Sequence, residues 1–160
     1  MPVLFLDHAE IVKRAAAVLV RMYREEVPNL RAKLWSRHAV QVANPYPVGV
    51  FNEPYDVGLG VDDMREQVRA HRVLLVSLMN ADTAIYGAEG NAWFRFFHDL
   101  GHMLYGLDFT AEDENRLHCL LWDRHLKRTR TFAALSKLEQ ELVRMVYDAD
   151  TTGQTDYFTE

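Results

Sequence analysis

Apolar residues recur at three- and four-residue spacing over much of the chain. Ile11, Ala15, Val18, Leu19 and Met22 form the first such stripe, the period of an amphipathic helix. Asp7, with Glu10 three places on, is a capping-box-like start, so a helix is predicted over 7–27. Pro28 stops it or opens the next. A short second helix over 29–40 places Leu30 and Leu34 one turn apart, beside Trp35.

The pattern then breaks. Pro45, Pro47, Pro54, Gly49, Gly58 and Gly60 punctuate residues 41–61. Such density predicts a long loop with a short extended piece at Val48–Phe51. It is either a cover for a binding site or, the preferred reading, a packed connection along a bundle. Helical spacing resumes over 63–81 through Val68, His71, Leu75, Leu78 and Met79. Asn91 is a cap for a helix over 92–105, which Gly106 ends. Thr110, with Asp113 three places on, opens a helix running to about Arg130. Ser136 and Glu139 open a last helix ending near Tyr147. The final dozen residues read as a flexible tail. No segment alternates over strand length. The expected fold is all-α, a bundle of five to seven helices forming one domain over 1–150, with a tail over 151–160.

Composition narrows the function classes. The chain has 160 residues, 49% hydrophobic and 26% charged, enough to bury one core and unlike a disordered chain. A net charge of −5 argues against nucleic acid as the main partner. The single cysteine, Cys119, excludes an internal disulfide and reads as a small buried apolar residue. No apolar run reaches a membrane span, and the opening MPVLFL meets Asp7, His8 and Glu10 too soon for a signal peptide. A cytoplasmic protein is expected.

The chemistry concentrates in one stretch. Four of the 7 histidines, His98, His102, His118 and His125, fall within 28 residues. His98 and His102 share a helix face, and Asp99 borders it. Two imidazoles one turn apart can ligate one ion. Gly101 between them admits a close neighbour. The following helix opens with Glu112, Asp113 and Glu114, acids that suit a first turn. Glu112 falls on the solvent face. Glu114 falls on the buried stripe with Leu117, His118 and Leu121, where a carboxylate needs a partner. A divalent cation held by His98, Asp99, His102 and Glu114 would be that partner. The donor set suits Zn2+ and also accepts Fe2+ or Mn2+. His118, one turn after Glu114, is a candidate supporting partner for the ligands.

The segment HDLGHMLYGLDFTAEDE resembles the metal motif of the COQ4 family of ubiquinone-biosynthesis proteins. That motif is HDxxH followed eleven residues later by Glu, and His98, Asp99, His102 and Glu114 fall on it position by position. The resemblance covers residues 94–118, and similar segments occur in small phage proteins. It implies a helical protein whose motif holds zinc. It also implies a role in removing a ring carboxylate from a prenylated quinone precursor.

Other readings start from the same residues. HDLGH is similar to the zinc-peptidase HExxH helix, but Asp99 is one methylene shorter than the usual general base. The His-Asp pair also resembles HD-type phosphohydrolases, which need a distant His and Asp, here His71 with Asp148 or Asp150. A third reading has the ion only staple two helices, with a protein rather than a small molecule as partner. Trp93, Phe94, Phe96 and Phe97 read first as core and second as a pocket wall. Arg124, Lys127, Arg128 and Arg130 read as a solvated helix end.

Overall fold

The computed structural model of the chain describes residues 8–44, 46–52, 54–55, 58, 60–82 and 85–151. Asp7 and the tail beyond 151 lie outside this set. Among the described residues the fold is all-α, six α-helices with a two-stranded sheet at one side.

Helix α1, His8–His38, is the central element and packs against α3, α5 and α6. The two helices expected on either side of Pro28 are one. The apolar stripe continues through Val27, Leu30 and Leu34, all buried, while Pro28 faces solvent. An internal proline costs about 3 kcal/mol or more. Burial of the stripe on both sides of it offsets that cost, and water can satisfy carbonyls on the outer face.

Strand β1, Val48–Val50, lies within the Pro/Gly-rich segment and pairs in parallel with β2, Leu75–Ser77, in the register Val48 to Leu75. The helix expected over 63–81 is therefore shorter. Helix α2 spans Val61–His71, and Arg72 ends it in the left-handed region at φ 60. Leu74 and Val76 are buried beyond it. In the connection between α1 and α2, Val40 and Val42 are buried in the core.

Helix α3, Gly87–Tyr105, begins a turn earlier than Asn91. Asn91 is inside the helix and buried, and its amide donates to the carbonyls of Ala81 and Gly87. Helix α4, Ala111–Arg124, starts at its expected cap, where Thr110 Oγ1 accepts from the Asp113 amide at 3.2 Å. It does not run on to Arg130. His125 leaves helical geometry, a 3-10 turn follows at Leu126–Arg128, and Thr129 caps the short helix α5, Arg130–Ala133. Helix α6, Lys137–Thr151, opens on the predicted capping box: Ser136 N donates to Glu139 Oε1 and Glu139 N to Ser136 Oγ.

One core joins these elements, with Leu19, Met22, Tyr23, Phe96, Phe97, Leu100 and Tyr147 among its most buried members. Cys119 is exposed, not buried. It follows His118 by about 100° around α4, which carries it off the buried face. Among the described residues no helix is long and apolar enough to cross a membrane.

Candidate metal centre

The last two turns of α3 carry both histidines of the motif, and the end of the helix is held from several directions. Arg65 on α2 donates through Nε and Nη2 to the Met103 carbonyl, at 2.8 and 2.6 Å. His38 at the end of α1 bonds the Leu104 carbonyl at 2.9 Å. The amides of Gly106 and Leu107 both return to the His102 carbonyl. These partners satisfy carbonyls that a helix end otherwise leaves unpaired. Gly106 has φ 67, which lets the chain reverse tightly. Asp108 then reaches back to accept from the Val61 amide at the start of α2, at 2.8 Å. The turn between α3 and α4 is thereby tied to α2, and α4 begins at a set distance from His102.

Helices α3 and α4 meet at Gly101. A Cβ there would lie 2.8 Å from Leu121 Cδ2 and 3.1 Å from Leu117 Cδ1. The close neighbour expected at this glycine is thus a pair of leucine side chains. Their packing brings Glu114 over the two histidines. Glu114 Oε1 is 2.6 Å from His102 Nε2 and 3.1 Å from His98 Nε2, and the two Nε2 atoms are 3.1 Å apart. His98, His102 and Glu114 form a group that could hold a metal ion.

The chemistry of the three atoms fits a cation. His102 is 1% exposed, and its Nδ1 lies 2.8 Å from the Leu107 carbonyl. A carbonyl only accepts, so Nδ1 carries a proton, and in the neutral ring Nε2 presents a lone pair. That lone pair faces a carboxylate oxygen and the Nε2 of His98. Electron-rich atoms at such spacing need a shared proton or a metal between them. Zinc with bonds of about 2.0–2.1 Å sets tetrahedral ligands about 3.3 Å apart, about 0.2 Å beyond the two 3.1 Å separations here and about 0.7 Å beyond the 2.6 Å one.

Electrostatics follow the same geometry. Burial pushes the Glu114 carboxyl up, but hydrogen bonds from His102 and His98, where a proton rather than a cation is shared, outweigh it and hold the group down at about 2. Burial likewise lowers His102, and the Glu114 carboxylate and Leu107 carbonyl more than reverse this, so its value is raised. Asp99, the remaining acid of the motif, is not in the converging group. Burial lifts its carboxyl to about 6, against the pull of His98 and His102.

Asp99 and His98 instead line a cavity of about 420 Å³. Its other walls include Tyr55, Met64, Phe94, Arg95 and Phe109. Phe94 is therefore a wall residue, whereas Trp93, Phe96 and Phe97 are core, so both readings of the aromatic run hold for different members. Arg95 is held by the carbonyls of Ser77 and Met79, which ties the cavity to β2. Tyr55 comes from the Pro/Gly-rich segment and donates to the Val73 carbonyl. Spacing gave no signal for Tyr55, Arg95, Phe109 or the Leu107 carbonyl.

His118 is buried and pairs through Nε2 with Asp148 Oδ1 at 2.7 Å. Burial depresses its pKa more than Asp148 raises it. His71 is exposed and stacks on Tyr55, and the Asp150 side chain lies outside the described set. Arg124, Lys127, Arg128 and Arg130 are exposed, as a solvated helix end would be.

No family model, no curated protein and no solved structure matches the chain.

Proposed function

We propose that the protein binds one divalent cation, zinc first, through His98, His102 and Glu114, and that this ion serves a small organic ligand in the adjoining cavity. The observation that carries the reading is a single carboxylate oxygen within 3.1 Å of two imidazole Nε2 atoms, one of them fixed as a lone-pair donor by the Leu107 carbonyl. Two imidazoles and one carboxylate match both catalytic zinc sites and the facial triad of non-haem iron(II). Three protein ligands leave a coordination position open, which separates this proposal from an ion that only staples two helices.

His98 is both a ligand and a cavity residue, so a molecule in the cavity would lie against the site. A bound cation would supply Lewis acidity to an oxygen of that molecule. The aromatic and methionine walls would bind its apolar part. Asp99 would offer a carboxyl beside it for proton exchange. The agreement of His98, Asp99, His102 and Glu114 with the COQ4-type motif supports a metal-dependent enzyme of that kind, a lyase or hydrolase.

The test is elemental analysis of protein purified without added metal and again after zinc, iron(II) or manganese reconstitution. One equivalent of metal in the wild type, lost in His98→Ala and Glu114→Ala, is expected. Metal content unchanged in both variants, or a wild type that takes up none, would remove the proposal.

A further inference from the structure

Among the described residues, two buried side-chain nitrogen or oxygen atoms lack a hydrogen-bond partner: Nδ1 of His98 and Nδ1 of His118. Most buried polar side-chain atoms in native proteins are paired, so each exception calls for an explanation. Both are imidazole nitrogens, one on α3 and one on the α4 that packs against it, which suggests a common one. Glu114 touches His98, and His118 follows Glu114 by one turn of α4. Residues four apart on a helix are neighbours.

The two nitrogens are complementary. His118 Nε2 lies against the Asp148 carboxylate, an acceptor, so the His118 proton is on Nε2 and Nδ1 carries a lone pair. Arg144 Nε donates to both oxygens of Asp148, at 2.9 and 3.0 Å, which fixes the carboxylate. The His118 ring stacks on Tyr147 with centroids 4.2 Å apart, and the Tyr147 hydroxyl donates to the His118 carbonyl. Its orientation is therefore set by α6. His98 is the converse case. Once Nε2 ligates a cation, the ring proton is on Nδ1, a buried donor in need of an acceptor.

We propose that His118 is a positioning residue for the metal site, accepting through Nδ1, by way of one buried water, the hydrogen bond that metal-bound His98 donates from its own Nδ1. A single water can accept from one ring and donate to the other, the role buried waters commonly fill. The relay would run from His98 through His118 to Asp148 and Arg144, placing α6 behind the site. This inference rests on the metal reading above. Ligating histidines ordinarily donate their second ring N–H to such a partner, and removing it costs 10–100-fold in metal affinity.

The experiment compares zinc affinity, by chelator competition, in wild type, His118→Leu, His118→Asn and Asp148→Asn, with helix content followed by circular dichroism. His118→Leu should bind zinc roughly 10–100-fold more weakly. His118→Asn, whose side-chain oxygen stands near the place of Nδ1, should recover most of the loss. Asp148→Asn should weaken binding several-fold. Nitrogen-15 spectra of the zinc-loaded wild type should show His118 protonated at Nε2 and His98 at Nδ1. A folded His118→Leu that binds zinc like wild type overturns the inference, as does His118 protonated at Nδ1. Should His118→Leu fail to fold, unchanged affinity in Asp148→Asn overturns it instead. A wild type that binds no zinc strikes the metal proposal itself; wild-type affinity in these variants strikes only the role of His118.

Discussion

Nδ1 of His102 donates to the backbone carbonyl of Leu107 across 2.8 Å. The bond links a candidate ligand to the turn that ends its own helix. That turn depends on Gly106, whose φ of 67 suits glycine and whose Cβ, if present, would sit 3.0 Å from Arg65 Nη2. Arg65 is not free to move, because it holds the Met103 carbonyl. Gly106→Ala is expected to destabilise the fold by about 1 kcal/mol. It should also weaken zinc binding several-fold by releasing the His102 ring. Urea unfolding and chelator competition on one preparation check both. A loss of stability with unaltered zinc affinity would show that the turn does not orient the ligand.

Gly101 sets the separation of α3 and α4. Leu117 and Leu121 already occupy the space a side chain would need. Gly101→Val should cost about 1–3 kcal/mol through overpacking and should push Glu114 away from the histidines. Metal content should fall in the variant even under conditions where it remains folded. A valine variant with full metal content would mean that α4 can slide without losing the site.

Much of this arrangement is legible from spacing. His98 and His102 share a face because they are one turn apart, and Glu114 turns inward because it rides the same stripe as Leu117 and Leu121. The capping pairs Thr110–Asp113 and Ser136–Glu139 place the starts of α4 and α6, because those bonds are local and their residue types specific. What spacing does not carry is tertiary. The β1–β2 pair joins segments more than twenty residues apart over three residues each, too short for alternation to register. Pro28 reads as a boundary because propensity is local, while the burial that overrides it is not. Whether Asp99 joins the ligands or faces a cavity turns on side-chain direction, which spacing leaves open. The Leu107 carbonyl is backbone and has no residue signature.

The end of α4 is another place where a distant partner decides. His125 is 0% exposed, with Nδ1 3.2 Å from Glu26 Oε1 and Nε2 2.6 Å from the Tyr105 hydroxyl. Asn29 donates to the same Glu26 oxygen. With the carboxylate accepting at Nδ1, the Tyr105 hydroxyl donates to Nε2, and both ring nitrogens are satisfied. The network joins α1, α3 and the break after α4. Tyr105→Phe should cost about 1–2 kcal/mol by leaving Nε2 unpaired, and Glu26→Ala about 1–3 kcal/mol by leaving the buried Nδ1 donor without its acceptor. Thermal or urea unfolding measures both. Values below about half a kcal/mol for Glu26→Ala would mean that the buried ring finds a replacement partner.

Glu25 gives the fold a dependence on pH that is separate from the metal centre. Its carboxylate accepts from the amides of Arg130 and Thr131 and from the Thr131 hydroxyl, closing the start of α5 onto α1. Burial raises its pKa, but these bonds outweigh it and hold the group below its ordinary 4.5. The folded state therefore favours the charged form more than the unfolded chain does. The stabilisation is fully present above the unfolded value and is lost as pH falls through the lowered folded one. Because Glu25 is exposed, solvent screening keeps the effect to a few tenths of a kcal/mol, about 1 at most. Glu25→Gln keeps the shape and an acceptor while removing the charge. Urea unfolding should find the variant less stable than wild type at pH 7, and the gap should close as pH falls below the ordinary carboxyl value of 4.5. A gap that holds constant or widens in acid would mean that the charge at Glu25 is not what fastens α5 to α1.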